Sequence, residues 1–162
     1  MKTGKALFAA GCFWGVQYYF DEVPGVVQTT VGYTGGHTSN PTYDDVASRT
    51  TGHAEATLIE FDPEKVSYET LLKQFFRMHD PTTLNRQGPD VGDEYRSAIF
   101  YFDERQHKQA LEIRNTAQQD KTQPIVTEIK PAGAFYKAEE YHQKFTQKTG
   151  IGMCHIPYAP VK

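Results

Sequence analysis

Apolar residues along the chain fall into short blocks whose spacing alternates between a strand-like and a helix-like period. Residues 5–10 form a short apolar run ending at Gly11, which predicts a buried strand. Over 13–21, Phe13, Val16, Gln17 and Phe20 recur at helical spacing, and Pro24-Gly25 stops the helix. Residues 26–33 are β-branched and run into Gly35-Gly36, so they read as a second strand. Residues 53–61 alternate: Thr57, Ile59 and Phe61 share one face, and Ala54, Ala56, Leu58 and Glu60 the other. The stretch 67–79 is an amphipathic helix with Leu71, Leu72, Phe75 and Phe76 inward and Ser67 as its N-cap.

The second half continues the alternation. It predicts a strand at 97–102, a polar helix at 103–119 carrying Ala110, Leu111 and Ile113, a strand at 125–130 and a last helix at 138–149 closed by Gly150. The tail 151–162, with Gly152, Pro157 and Pro160, reads as coil. Two long polar segments interrupt the pattern: 35–52, with one helical turn at 41–48, and 80–94. Loops of that length inside a domain usually carry function. Strands alternating with helices predict an α/β (α+β) sandwich with helices packed on a sheet. No repeat, low-complexity tract or linker divides the chain, so a single domain over 1–162 is expected.

Composition narrows the functional classes. The length of 162 residues suits one domain, and a net charge of −3 without a basic block argues against nucleic acid. No apolar stretch approaches the roughly 18 residues of a membrane span. The apolar run at 6–11 is shorter than the roughly 7–15 residues of a secretory core, so a cytoplasmic protein is expected; nothing points beyond a monomer. The six histidines show no metal-ligand spacing. Cys12 and Cys154 are the two cysteines, at opposite ends of the chain. They are compatible with inert thiols, a terminal staple or a redox pair, and composition does not choose among these. The one skew is aromatic: ten Phe, ten Tyr and one Trp make up 13% of the chain.

Two short stretches carry candidate chemistry. In Gly11-Cys12-Phe13-Trp14-Gly15, Cys12 falls where a strand hands over to a helix N-terminus. Unpaired N–H groups and the helix dipole there favour an anion and lower a thiol's pKa. The alternative is a buried small hydrophobe. In Gly52-His53-Ala54-Glu55-Ala56, the alternation points Glu55 to the apolar side of its strand. Desolvation there raises a carboxyl's pKa, as a general acid at neutral pH requires. Its alternative is a solvated strand end paired with Arg49. Tyr43 and Tyr95, in the long segments, are packing anchors or O–H donors to a ligand lined by Phe13 and Trp14. A Cys12–histidine pair using His53 or His79 would instead make a cysteine hydrolase. An aromatic cage of Trp14, Tyr43 and Tyr95 with Glu55 would bind a methylated cation.

These stretches also carry a resemblance. Gly11-Cys12-Phe13-Trp14-Gly15, Gly32-Tyr33-Thr34-Gly35-Gly36, Asn40-Pro41-Thr42-Tyr43, Gly52-His53-Ala54-Glu55-Ala56 and the run 86–97 resemble, in order, the motifs of the A-type peptide methionine sulfoxide reductases. The resemblance implies a mixed β-sheet flanked by helices and reduction of methionine S-sulfoxide, free or in proteins. It implies Cys12 as nucleophile, Glu55 as acid, and Tyr43, Asp90 and Tyr95 as partners of the sulfoxide oxygen and its water network. It further implies Phe13 and Trp14 as the pocket for the substrate methyl. No bound cofactor or metal is expected. Cys154, the only other thiol, becomes the candidate resolving residue, with thioredoxin as external reductant; a bystander surface cysteine is the alternative.

Overall fold

A computed structural model describes residues 2–151 of the chain. Its central strand is β1 (Gly4–Ala10), followed by helix α1 (Phe13–Asp21), β2 (Val26–Thr34), the short helix α2 (Tyr43–Ala47), β3 (Ala54–Phe61) and helix α3 (Tyr68–Met78). A small hairpin, β4 (Arg86–Gln87) and β5 (Asp90–Val91), leads to a 3-10 turn at Asp93–Tyr95. Then come β6 (Ser97–Tyr101), helix α4 (Glu104–Gln118), β7 (Glu128–Pro131), β8 (Phe135–Lys137), a 3-10 turn at Glu140–His142 and α5 (Phe145–Thr149). The main sheet has the order β7-β6-β1-β3-β2-β8. Its pairs are antiparallel except β6–β7, so the sheet is mixed.

Strand alternation builds the two faces. Ala6, Phe8 and Ala10 of β1, with Ile59 and Ile99 from its neighbours, bury Val16, Tyr19 and Phe20 of α1 and Leu71, Leu72 and Phe75 of α3. Ala110 of α4 joins the same core. All three long helices therefore cover one face and form the second layer of the sandwich. The opposite face is built from small residues, Ala9, Ala54, Ala56 and Ala98, with Leu7 and Phe100. Local chemistry sets the helix starts. Ser67 accepts from Thr70 N and Asp103 from Gln106 N, while Thr42 and Asp45 form a reciprocal capping box at α2.

The structure departs from the sequence pattern in four places. The segment 80–94 is not a plain loop but holds the β4–β5 hairpin and a 3-10 turn. The strand expected at 125–130 runs over 128–131, because Ile125 N donates to Gln118 Oε1 (2.7 Å) and Val126 N to Pro81 O (2.8 Å), away from the sheet. Strand β8 carries only three residues and has no legible alternation. The helix expected at 138–149 is broken into a turn and a five-residue helix, with Lys144 in the left-handed region at φ 58°. Side chains in this segment serve the strands instead. Gln143 donates to Val31 O (2.9 Å) and Ala138 O (3.0 Å) and accepts from Val31 N (3.1 Å). Lys144 N donates to Gln17 Oε1 (2.7 Å) and its Nζ to Asp21 Oδ2 (2.6 Å). The tail expectation and Cys154 lie outside the described residues.

Candidate active site

Antiparallel pairing brings the candidate residues to one edge of the sheet. β1 ends at Ala10, which pairs with Ser97 at the start of β6. Phe8 pairs with Thr57, so Glu55, two residues earlier in β3, lies at the same end. Tyr33, near the end of β2, pairs directly with Glu55. Cys12 follows Ala10 after a single residue, Gly11, whose φ of 95° turns the chain from strand into helix α1. Cys12 is the N-cap residue of that helix and is half-buried, beside the orphan N–H groups of its first turn.

Glu55 is 2% exposed and accepts a hydrogen bond from Phe13 N (3.1 Å). Its carboxyl therefore sits at the start of α1, against the residue that directly follows Cys12. Burial pushes its pKa up to about 8; the Phe13 N–H pulls the other way, and the nearby Glu94 and Asp90 charges add to the rise. Glu55 is thus a neutral acid at pH 7. Arg49 does not pair with it: the guanidinium Nε lies 3.4 Å from Glu94 Oε1 instead.

The long segments complete the site. Thr42 caps α2 and Tyr43 opens it, with Tyr43 N donating to Glu139 Oε2 (2.9 Å). Tyr95 ends the 3-10 turn that precedes β6. Burial raises the pKa of both phenols; the Glu55 charge raises both further, and Cys12 acts on each in the same direction. Asp90, the first residue of β5, acts on Glu55 and Tyr95. These mutual influences place Cys12, Glu55, Tyr43, Asp90 and Tyr95 in one cluster. The 35–52 segment is closed by a tight crossing in which Gly36 N donates to His53 Nδ1 (3.0 Å) and His37 N to Thr51 O (2.9 Å). A Cβ on Gly36 would lie 2.4 Å from both His53 N and Thr51 O, so the crossing needs glycine.

The aromatic residues form a second part of the cluster. Phe13 is 1% exposed and packs on Tyr33 (ring centroids 5.7 Å) and His142 (5.3 Å). It backs the site rather than presenting an open face. Trp14 is half-buried, stacks on Phe145 at 3.8 Å and donates its Nε1–H to His142 Nδ1 (2.9 Å).

A model of the peptide methionine sulfoxide reductase family matches residues 4–162. The chain belongs to this family. A peptide methionine sulfoxide reductase MsrA from Methanothermobacter thermautotrophicus is 53% identical over 154 residues, covering 94% of this chain and 91% of that protein. Its counterpart from Acidobacterium capsulatum is 51% identical, with 94% and 99% covered. Among solved structures, reduced Mxr1 from Saccharomyces cerevisiae superposes with a TM-score of 0.90 at 34% identity, covering 99% of this chain and 93% of that one. Methionine sulfoxide reductase A of Corynebacterium diphtheriae gives 0.83 at 34% identity, with 96% and 84% covered.

Within this reductase fold, the two histidines that would make a cysteine hydrolase are committed elsewhere. His53 bonds Gly36 N and Thr38 O, and His79 bonds Phe75 O and Ser97 Oγ, with both ring nitrogens used in each. Three residues of the cluster carry no local signal in the sequence: Glu94 lies among polar neighbours in the run 86–97, and Glu139 and His142 lie in a stretch whose pattern predicts a continuous helix. Among the described residues, no group of three or more His, Cys, Asp or Glu is arranged to hold a metal ion. No helix among them is long and apolar enough to cross a membrane.

Proposed function

We propose that the protein reduces methionine S-sulfoxide, free or within proteins, with Cys12 as nucleophile and Glu55 as acid. The observation that carries this reading is a buried carboxyl, neutral at pH 7, bonded to the N–H of the residue directly after Cys12. A sulfoxide sulfur becomes electrophilic when its oxygen is protonated. Glu55 gives that proton, while the O–H groups of Tyr43 and Tyr95, which burial makes still harder to ionise, hold the oxygen. Asp90 orders the water around it. The Cys12 thiolate attacks the sulfoxide sulfur, and the S–O bond breaks as the protonated oxygen leaves as water. A water then attacks Cys12 Sγ, breaking the new S–S bond so that methionine leaves and the oxygen stays on Cys12. The methionine sulfur is reduced by two electrons, and Cys12 is oxidised by two to a sulfenic acid. Trp14, backed by Phe13, takes the S-methyl and so selects one epimer.

Cys154, the other cysteine of the chain, then attacks the sulfenic acid, water leaves, and a Cys12–Cys154 disulfide forms. An external dithiol, thioredoxin in this reading, restores both thiols by exchange. The enzyme works as a cytoplasmic single-domain monomer without a bound cofactor. Mass spectrometry after one turnover without reductant tests the scheme. Wild type should lose two hydrogens as a Cys12–Cys154 disulfide. Cys12→Ser should release no methionine, while Cys154→Ser releases about one equivalent and leaves a sulfenic acid that dimedone traps. Equal bursts from the two variants would remove Cys12 from its role.

A further inference from the structure

We infer that Arg49 is a positioning residue: its guanidinium joins the end of the helix that carries Tyr43 to the turn that carries Tyr95, and so holds the two phenols in register for the sulfoxide oxygen. This rests on the assignment of those phenols to that oxygen. The first observation is a backbone conformation. Helix α2 closes at Ser48, and the next residue, Arg49, stands in the left-handed region at φ 63°. Glycine or asparagine usually takes that place after a helix, because a Cβ there crowds the neighbouring carbonyl. Among the described residues, the other non-glycine positions with positive φ are Asn40, Asn85 and Lys144. Two are asparagines, and Lys144, like Arg49, commits its cation to a carboxylate, that of Asp21.

The Arg49 side chain crosses to the other long segment. Its Nη2 donates to Val91 O, and its Nε lies 3.4 Å from Glu94 Oε1. The flat, forked guanidinium serves both acceptors at once. The Glu94 side chain is only 3% exposed, and its Oε1 accepts no hydrogen bond among the described residues. Burial raises the Glu94 pKa; its own N–H and the Arg49 charge oppose this. Without the guanidinium a buried carboxylate would lose its counter-charge, so the pair holds firmly although Arg49 itself reaches solvent. Chain geometry carries this contact to the phenols. Tyr43 opens α2 and Arg49 follows its C-cap, so a single short helix separates the two. Glu139 holds the first end of that helix through Tyr43 N, and Arg49 fixes the last. Glu94 directly precedes Tyr95 in the 3-10 turn, and the Tyr95 hydroxyl stands beside that of Tyr43.

The test compares wild type, Arg49→Gly, Glu94→Ala and the double variant. Glycine accepts φ 63° without strain, so Arg49→Gly removes the guanidinium and leaves the helix end intact. Rates are compared at pH 6, below the Glu55 pKa of about 8, where supply of that proton does not limit. In single turnovers with N-acetyl-methionine S-sulfoxide, each single variant should lower the plateau rate roughly tenfold, the scale of one lost charge-assisted hydrogen bond. Half-saturation should stay within about threefold, because the phenols meet the oxygen as its charge develops. The double variant should be no slower than the slower single, since all three lose one shared contact. Amide exchange reads the same contact without catalysis. In Glu94→Ala the Val46 and Ser48 N–H groups, bonded to Thr42 O and Asp44 O, should exchange roughly tenfold faster. In Arg49→Gly the Gly92 and Tyr95 N–H groups, bonded to Asn85 O and Gly92 O, should do the same. An unchanged plateau rate in Arg49→Gly, losses that multiply in the double variant, or protection kept in the opposite segment overturns the inference. Wild type that reduces no sulfoxide defeats the proposed function, whereas kept protection in both single variants defeats only this one.

Discussion

Replacing Glu55 by Gln isolates the proton from the carboxyl's other duties. The amide oxygen can still accept the Phe13 N–H, so the start of α1 keeps its partner, but no transferable proton remains. The structure sets the size of what is lost. A carboxyl held at about 8 rather than 4.5 is about 90% neutral at pH 7 instead of about 0.3%, so burial enriches the acid form about 300-fold. Proton donation of this kind contributes roughly 10²–10⁴ in rate, and Glu55→Gln should slow methionine release in a rapid-mixing single turnover by that range. The pH profile carries a second signature. In wild type the neutral fraction of Glu55 falls about tenfold between pH 7 and 9, opposing the rise in thiolate, so the rate should bend downwards above pH 8. In Glu55→Gln only the rising thiol limb should remain. Parallel profiles for the two enzymes, or a loss under about threefold, would show that Glu55 gives no proton.

The same group links folding to pH. The folded state binds the Glu55 proton more tightly than the unfolded chain does, so that stability is full below about pH 4.5 and is lost as pH rises through about 8. Urea unfolding should therefore show wild type weakening relative to Glu55→Gln by up to about 1.4 kcal/mol per pH unit across that window, and a pH-independent difference contradicts the burial argument. Converting Tyr43 and Tyr95 together to Phe should slow the sulfoxide step by roughly 10²–10³, with either single change costing less because one hydroxyl remains; a double variant as fast as wild type removes both from the oxygen site. Gln143→Ala leaves the buried Val31 N–H without its side-chain acceptor and should cost about 1–3 kcal/mol in thermal unfolding. No change in melting temperature would mean that β2 does not depend on the segment after β8.

Local pattern alone determined most of the scaffold. Helix α1 matches its expected span of 13–21, and the alternation of 54–61 placed Glu55 on the core face because side-chain direction in a strand depends only on parity. The Gly11–Cys12 junction and the caps at Ser67 and Thr42 are likewise local, set by backbone freedom and short-range hydrogen bonds. The sheet order belongs to the tertiary structure. Flanking β1 with β3 and β6, both antiparallel, brings Glu55 and Tyr95 beside Cys12 from 43 and 83 residues away in the chain. Only that arrangement buries the Glu55 carboxyl deeply enough to keep it neutral, and only it turned Arg49 to Glu94 instead. The segment 138–149 shows the limit most plainly. Its composition favours a continuous helix, yet its polar side chains are held by Val31, Tyr33, Tyr43 and Trp14 from more than 90 residues upstream, and those long-range bonds outweigh the local preference.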